Sequence, residues 1–140
     1  PEHLLDYYIK SVGRNTNMLI GMAISADGDF QDEEQFVEFG KLLKETFGTP
    51  LYEKTDLTGN TFIIKNDENR QMKYLLLCED IRDGHNINGF SVFADDRKIY
   101  EGKCIGHKRI IPLGNITANE IRIEADGTEH TPILKSVSVC

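Results

Sequence analysis

The run Met18-Leu19-Ile20-Gly21-Met22-Ala23-Ile24 is apolar throughout, with no alternation of polar and apolar positions. Such a run reads as a strand covered on both faces, the situation of strands in a parallel sheet. On its N-terminal side Leu4, Leu5, Tyr8, Ile9 and Val12 recur at steps of three and four after Pro1. That spacing predicts one helix over residues 1–12 with proline in its first turn, and Gly13-Arg14-Asn15-Thr16-Asn17 breaks the period. On its C-terminal side Asp27-Gly28-Asp29 predicts a turn. A second helix is expected from Asp32, with Glu33 and Glu34 in its first turn and Phe36, Phe39, Leu42, Leu43 and Phe47 on one face, stopping at Gly48 before Pro50.

After Pro50 the pattern changes. Thr61–Ile64, Lys73–Cys78, Phe90–Phe93, Arg97–Tyr100, Lys108–Ile111, Glu120–Glu124 and Leu134–Val139 are short runs, several of them alternating. Between them fall the turn signals Asp83-Gly84, Asn88-Gly89, Asp95-Asp96 and Asp126-Gly127. Regularly spaced short strands of this kind predict an antiparallel β-sandwich or jelly roll. The two halves are unequal in one respect: a lone parallel strand between two helices cannot pair both edges or cover both faces by itself. The pattern therefore predicts the C-terminal end of a larger α/β protein, with residues 1–49 carrying the last units of its sheet and residues 50–140 a complete β domain.

Composition narrows the partners. The 140 residues carry 16 Lys+Arg against 23 Asp+Glu, a net charge of −7, which disfavours nucleic acid and anionic bilayers as partners. The longest apolar runs fall far short of the roughly 20 residues that cross a membrane. The N-terminus, Pro1-Glu2-His3, lacks the charged leader and apolar core of a signal peptide. Cys78, Cys104 and Cys140 are widely spaced without a CxxC, so neither a disulfide framework nor a zinc site is expected.

Two blocks of sequence carry a family likeness. Tyr8-Ile9-Lys10-Ser11-Val12-Gly13-Arg14-Asn15-Thr16-Asn17-Met18-Leu19-Ile20, then Asp27-Gly28 and the helix ending Phe47-Gly48-Thr49-Pro50-Leu51, resembles the last barrel strand and helix of α-L-fucosidases of glycoside hydrolase family 29. Cys78-Glu79-Asp80-Ile81, Gly84-His85-Asn86-Ile87 and Gly102-Lys103-Cys104-Ile105-Gly106-His107-Lys108-Arg109-Ile110, closing with Ile121-Arg122-Ile123, resemble the β-sandwich that follows that barrel. Gly21 departs from the Asn that many relatives carry, and His85-Asn86 from a frequent Gln-Arg pair.

The resemblance implies an α/β barrel remnant, the end of a (β/α)8 TIM-like barrel in residues 1–49, followed by the sandwich in 50–140. It implies a retaining exo-glycosidase that hydrolyses terminal α-L-fucose from glycans, with an aspartate nucleophile and a separate acid/base carboxylate. Retention needs the two carboxyls about 5–5.5 Å apart across the anomeric carbon. The resemblance places both upstream of Pro1, so no catalytic residue is expected in this chain. It also implies no cofactor, an upstream catalytic barrel portion of the same protein and fucosylated glycan as partners, and an extracytoplasmic site of action, whether periplasmic, secreted or lysosomal. Two further readings stand beside it: a non-catalytic carbohydrate-binding or protein-interaction β-sandwich module, and a free-standing α+β domain.

Candidate sites each have a plainer account. Ser25, Ala26, Asp27 and Asp29 follow the apolar run, where barrel strands end at active sites, so Ser25 and Asp27 are candidate substrate contacts; turn formation and the start of the second helix account for the same residues. Arg14 is expected in a salt bridge. His107-Lys108-Arg109 could grip an anion or a sugar, or pair across a domain interface. His3, His85 and His130 lack metal-ligand spacing. Glu33-Glu34, Glu79-Asp80 and Asp95-Asp96 are adjacent acids whose side chains diverge on a strand, which assigns them to solvated surface or capping. Asp80, Asp83, Asp95 and Asp96 match no calcium loop. The absence of Trp speaks against an aromatic sugar platform, and the lone sequon Asn115-Ile116-Thr117 decides nothing.

Overall fold

In the computed structural model, which describes residues 1–127 and 129–140, two helices precede eight strands. The helices are α1 (Glu2–Lys10) and α2 (Glu33–Phe47), and the strands are β1 (Tyr52–Thr58), β2 (Thr61–Lys65), β3 (Met72–Glu79), β4 (Ile87–Ala94), β5 (Arg97–Gly102), β6 (Arg109–Ile116), β7 (Glu120–Gly127) and β8 (Ile133–Val139). The strands form two four-stranded sheets, ordered β1-β8-β3-β6 and β2-β7-β4-β5. Every ladder is antiparallel.

Period-two alternation sets the core. Leu75 and Leu77 of β3 stand opposite Val139 and Val137 of β8. Opposite residues share a face, so these side chains point together into the gap between sheets. From the other sheet Phe62, Ile64, Val92, Ile121 and Ile123 meet them, all buried. Each such side chain contributes roughly 1.5–3 kcal/mol on leaving water, and the sandwich is covered by its own residues. The β4–β5 connection is the two-residue turn Asp95-Asp96, both with positive φ (45° and 66°), as tight hairpins require.

The helices lie where their faces predict. Phe39 is the buried residue of α2, and Phe47 stacks between Tyr8 of α1 (centroids 6.1 Å) and Tyr74 of β3 (5.2 Å, edge-on). Asp32 holds the position before α2 without capping it through its side chain.

The structure departs from the sequence reading in three places. Residues 18–24 form no strand: Leu19 is 99% exposed, Met22 59% and Ile24 70%, and the segment's ladder contact is a single bridge from Ile24 to Phe30. The barrel remnant is therefore not seen here, because a strand buried on both faces needs neighbours that these 140 residues do not provide. Asn88-Gly89, read as a turn, lies inside β4, where Gly89 pairs with Asp126 across a register shift. β1 was not anticipated: it is a polar edge strand, Tyr52-Glu53-Lys54-Thr55-Asp56-Leu57-Thr58, interrupted by Asp56 at positive φ (54°), and such a strand has no periodic apolar signature.

Candidate functional site

Ser25 and Asp27 sit in one tight turn at the end of the uncovered segment. The Asp29 N–H donates to Ser25 Oγ at 3.0 Å, the Ser25 N–H to the Asp29 carbonyl at 2.9 Å, and the Gly28 N–H to the Ser25 carbonyl at 3.0 Å. Gly28 takes φ 88° and Asp27 is exposed. The turn ties Ser25 to backbone, and among the described residues neither Ser25 nor Asp27 forms a hydrogen bond with the His107–Arg109 stretch.

That stretch is a joint between the helical segment and the sandwich. Ile105 is fully buried in the core. Gly106, at φ 66°, carries a backbone N–H that donates to Glu79 Oε2 (3.0 Å) and a carbonyl that accepts the Glu79 N–H (2.8 Å). A Cβ on Gly106 would stand 2.7 Å from Asn15 Oδ1 and closer still to the Asn15 amide nitrogen. Asn15 uses that oxygen to accept the His107 N–H at 2.7 Å. Lys108 lies against Tyr8, with Nζ 3.4 Å from the hydroxyl and 5.9 Å from the ring centroid. The Ile110 N–H donates to the Gly13 carbonyl at 2.8 Å, and a Cβ on Gly13 would meet Ile110 Cβ at 2.8 Å. Each residue of the stretch thus serves packing or hydrogen bonding across one seam.

Glu79 is a further correction to the sequence reading, which assigned it to solvated surface or capping. Its side chain is 1% exposed, and its carboxylate accepts the N–H groups of Asn86 (2.7 Å), Ile87 (2.9 Å) and Gly106 (3.0 Å). It ends β3 and pins the start of β4 and the approach to β6. His85 Nδ1 lies 3.7 Å away. With three amide donors and almost no solvent, this carboxylate serves as a structural acceptor. The signal was present in the register: Leu75, Leu77 and Glu79 alternate onto one face, so the acid had to point inward.

Above Glu79 opens a cleft of about 310 Å³ lined by Asp56, Asp80, Ile81, Arg82, His107 and Lys135. Asp80 and Arg82 are locked in a fork, with Nε at 2.9 and 3.1 Å and Nη2 at 2.6 Å from the carboxylate oxygens. The guanidinium bonds and the Arg82 N–H hold the Asp80 carboxyl down to about 2. Asp95 is likewise lowered, chiefly by the Asn119 N–H, with the Glu120 N–H adding to it. Asp96 pairs with Arg122 at 2.8 Å. These acids therefore spend their oxygens at separate places, and among the described residues no group of three or more His, Cys, Asp or Glu is placed to hold a metal. The cysteines are free thiols.

A second, more apolar groove of about 570 Å³ runs between α1 and the uncovered segment, lined by Leu4, Tyr7, Met18, Leu19 and Ile20 among others. No helix is long and apolar enough to cross a membrane among the described residues.

No family model and no curated protein sequence matches the chain. Solved structures do. A family 29 fucosidase of Ruminococcus gnavus, solved with fucose, is similar over 99% of this chain with a TM-score of 0.89 at 22% identity. A glycoside hydrolase 29 family member from an unknown rumen bacterium is similar over the same share, with a TM-score of 0.85 at 27% identity. A Bacteroides thetaiotaomicron protein provisionally assigned as an α-L-fucosidase gives 0.88 at 23%. The chain spans 36%, 28% and 33% of those chains respectively, about a third of their length. Its fold is that of the C-terminal portion of glycoside hydrolase family 29 α-L-fucosidases.

Proposed function

We propose that this chain is the C-terminal part of a retaining exo-glycosidase that hydrolyses terminal α-L-fucose from glycans. The observation that carries the reading is the asymmetry of cover: the sandwich buries its own core, while Leu19, Met22 and Ile24 stand in solvent. An apolar segment of this kind marks a surface meant for a neighbour. In the longer protein, residues 1–49 close the catalytic barrel with Met18–Ile24 as its last strand, and residues 50–140 form a scaffold sandwich. The similarity over nearly the whole chain to about a third of each fucosidase supports that division.

The carboxylate pair lies in the upstream portion, one carboxylate attacking the anomeric carbon and the other protonating the departing oxygen, with net retention. Ser25 and Asp27, at the turn that follows the barrel strand, stand where the C-terminal ends of barrel strands meet substrate. An extracytoplasmic location goes with glycan as substrate.

The test is hydrolysis of an aryl α-L-fucoside by the longer polypeptide and by the 140 residues alone, with the anomeric form of the first product read by NMR. Activity is expected only from the longer protein, releasing α-L-fucose first. Turnover by the 140 residues alone, or none by the longer protein, overturns the reading.

A further inference from the structure

Asp56 stands inside β1 with φ 54°, between Thr55, which pairs with Ser136, and Leu57, which pairs with Leu134. The register sets it at the position of Lys135 on β8, where a cross-strand acid and base ordinarily stabilise a sheet by closing on each other. These two do not close: among the described residues neither is in an ion pair or a side-chain hydrogen bond. Aspartate visits the left-handed backbone region because its short side chain can bond locally, and Asp56 makes no such bond. Strain held without a local bond to offset it collects at positions kept for a ligand.

Both side chains instead line the cleft of about 310 Å³ above Glu79, a volume at the small end of ligand pockets. His107 lines it too; its backbone N–H is committed to Asn15, while its imidazole is in no hydrogen bond among the described residues. The other polar groups of the cleft are already spent. Asp80 and Arg82 are closed on each other in their fork, and the Glu79 carboxylate is taken up by three backbone amides. What remains is a carboxylate that accepts, an ammonium that donates and an imidazole that can do either. Ile81, 37% exposed, is the one apolar wall.

We infer that this cleft is a binding site for a single neutral sugar ring. Asp56 against Lys135 and Asp80 against Arg82 leave no surplus of positive charge to draw an anion, and ion pairs with exposed side chains are worth little. Hydroxyl groups suit the set better. Neighbouring hydroxyls donate to the Asp56 carboxylate and accept from Lys135 and His107, in bonds strengthened by the charged partner, while the C–H face of the ring lies on Ile81. Recognition through polar side chains needs no tryptophan platform, and the chain has none. The site goes beyond the proposed function and does not depend on what the longer protein hydrolyses.

The experiment follows the backbone amide NMR shifts of Asp80–Arg82 and His107 in the 140-residue chain during titration with methyl α-L-fucoside, methyl β-D-galactoside, inorganic phosphate and glutamate. At least one glycoside should give saturable shifts in the low millimolar range, as a small open site allows, and the two ions should give none. Asp56→Gly removes the carboxylate and places at this φ the residue most at ease there, so it should weaken glycoside binding about tenfold or more without lowering the melting temperature. A merely structural aspartate would show the reverse. Lys135→Met, at an exposed position, should weaken binding in the same way and decides the matter if Asp56→Gly unfolds. No saturable shift with either glycoside, binding that both variants retain, or a stronger response to phosphate or glutamate overturns the inference.

Discussion

The sandwich and the segment before α2 are built from equally apolar stretches, yet one is closed and the other open. Leu75-Leu76-Leu77 finds β6 on one side and β8 on the other within the chain. Met18–Ile24 finds one bridge, from Ile24 to Phe30. Hydrophobicity alone does not make a strand; a ladder partner does, since an unpaired backbone in an apolar setting is too costly to keep. The difference separates what the 140 residues cover by themselves from what they leave uncovered.

The closed region should break most sharply at Glu79. Replacing it with alanine leaves the N–H groups of Asn86, Ile87 and Gly106 without their acceptor in a buried site, at about 1–3 kcal/mol for each group left unmade. We expect Glu79→Ala to cost about 4 kcal/mol in urea unfolding. A cost below about 1 kcal/mol would mean that water reaches these amides and that the mouth of the sandwich is not sealed as described.

The seam between the two regions is the next most sensitive place. Gly106→Ala forces an L side chain into a left-handed backbone and drives its Cβ into Asn15, which also threatens the bond from Asn15 to the His107 N–H. The expected loss is about 2–3 kcal/mol. In an Asn15→Gly background the steric part is already gone, so the further cost of Gly106→Ala should fall toward the backbone cost of about 1–2 kcal/mol. Strictly additive losses would show that the two positions do not touch.

How much of this was legible depended on where the partners lay. The strands of the sandwich could be read because each alternation is answered by another strand of the same chain. Their connecting turns were readable where side-chain chemistry forces the backbone, as at Asp95-Asp96, and misleading at Asn88-Gly89, where the ladder absorbs the same residues in a bulge. β1 was silent because an edge strand of polar residues carries no apolar period. Met18–Ile24 was read as a strand from its composition, which reports the environment it is suited to and not the one these residues supply. At the seam, Gly13-Arg14-Asn15 looked like a period-breaking loop, and its role follows from Asn15 meeting Gly106 across a long stretch of chain, a contact no local pattern encodes.

The open region should respond in the opposite way. Leu19 is 99% exposed, so Leu19→Asp removes almost no buried area and should change unfolding stability by less than about 0.5 kcal/mol. Its effect belongs to association: an apolar patch in water drives molecules together, and a charge at its centre opposes that. Sedimentation of the 140-residue chain should show self-association that Leu19→Asp reduces, with the far-ultraviolet dichroism unchanged. In the longer protein proposed above the same substitution should instead be costly, because under that proposal the side chain leaves water for a covered strand and an unpaired carboxylate goes with it. A substitution harmless in the short chain and severe in the long one is what separates a surface awaiting its neighbour from a loop that was always meant for solvent. If Leu19→Asp is mild in both, the run at Met18 is only a greasy loop, and the contrast between the two regions loses its structural meaning.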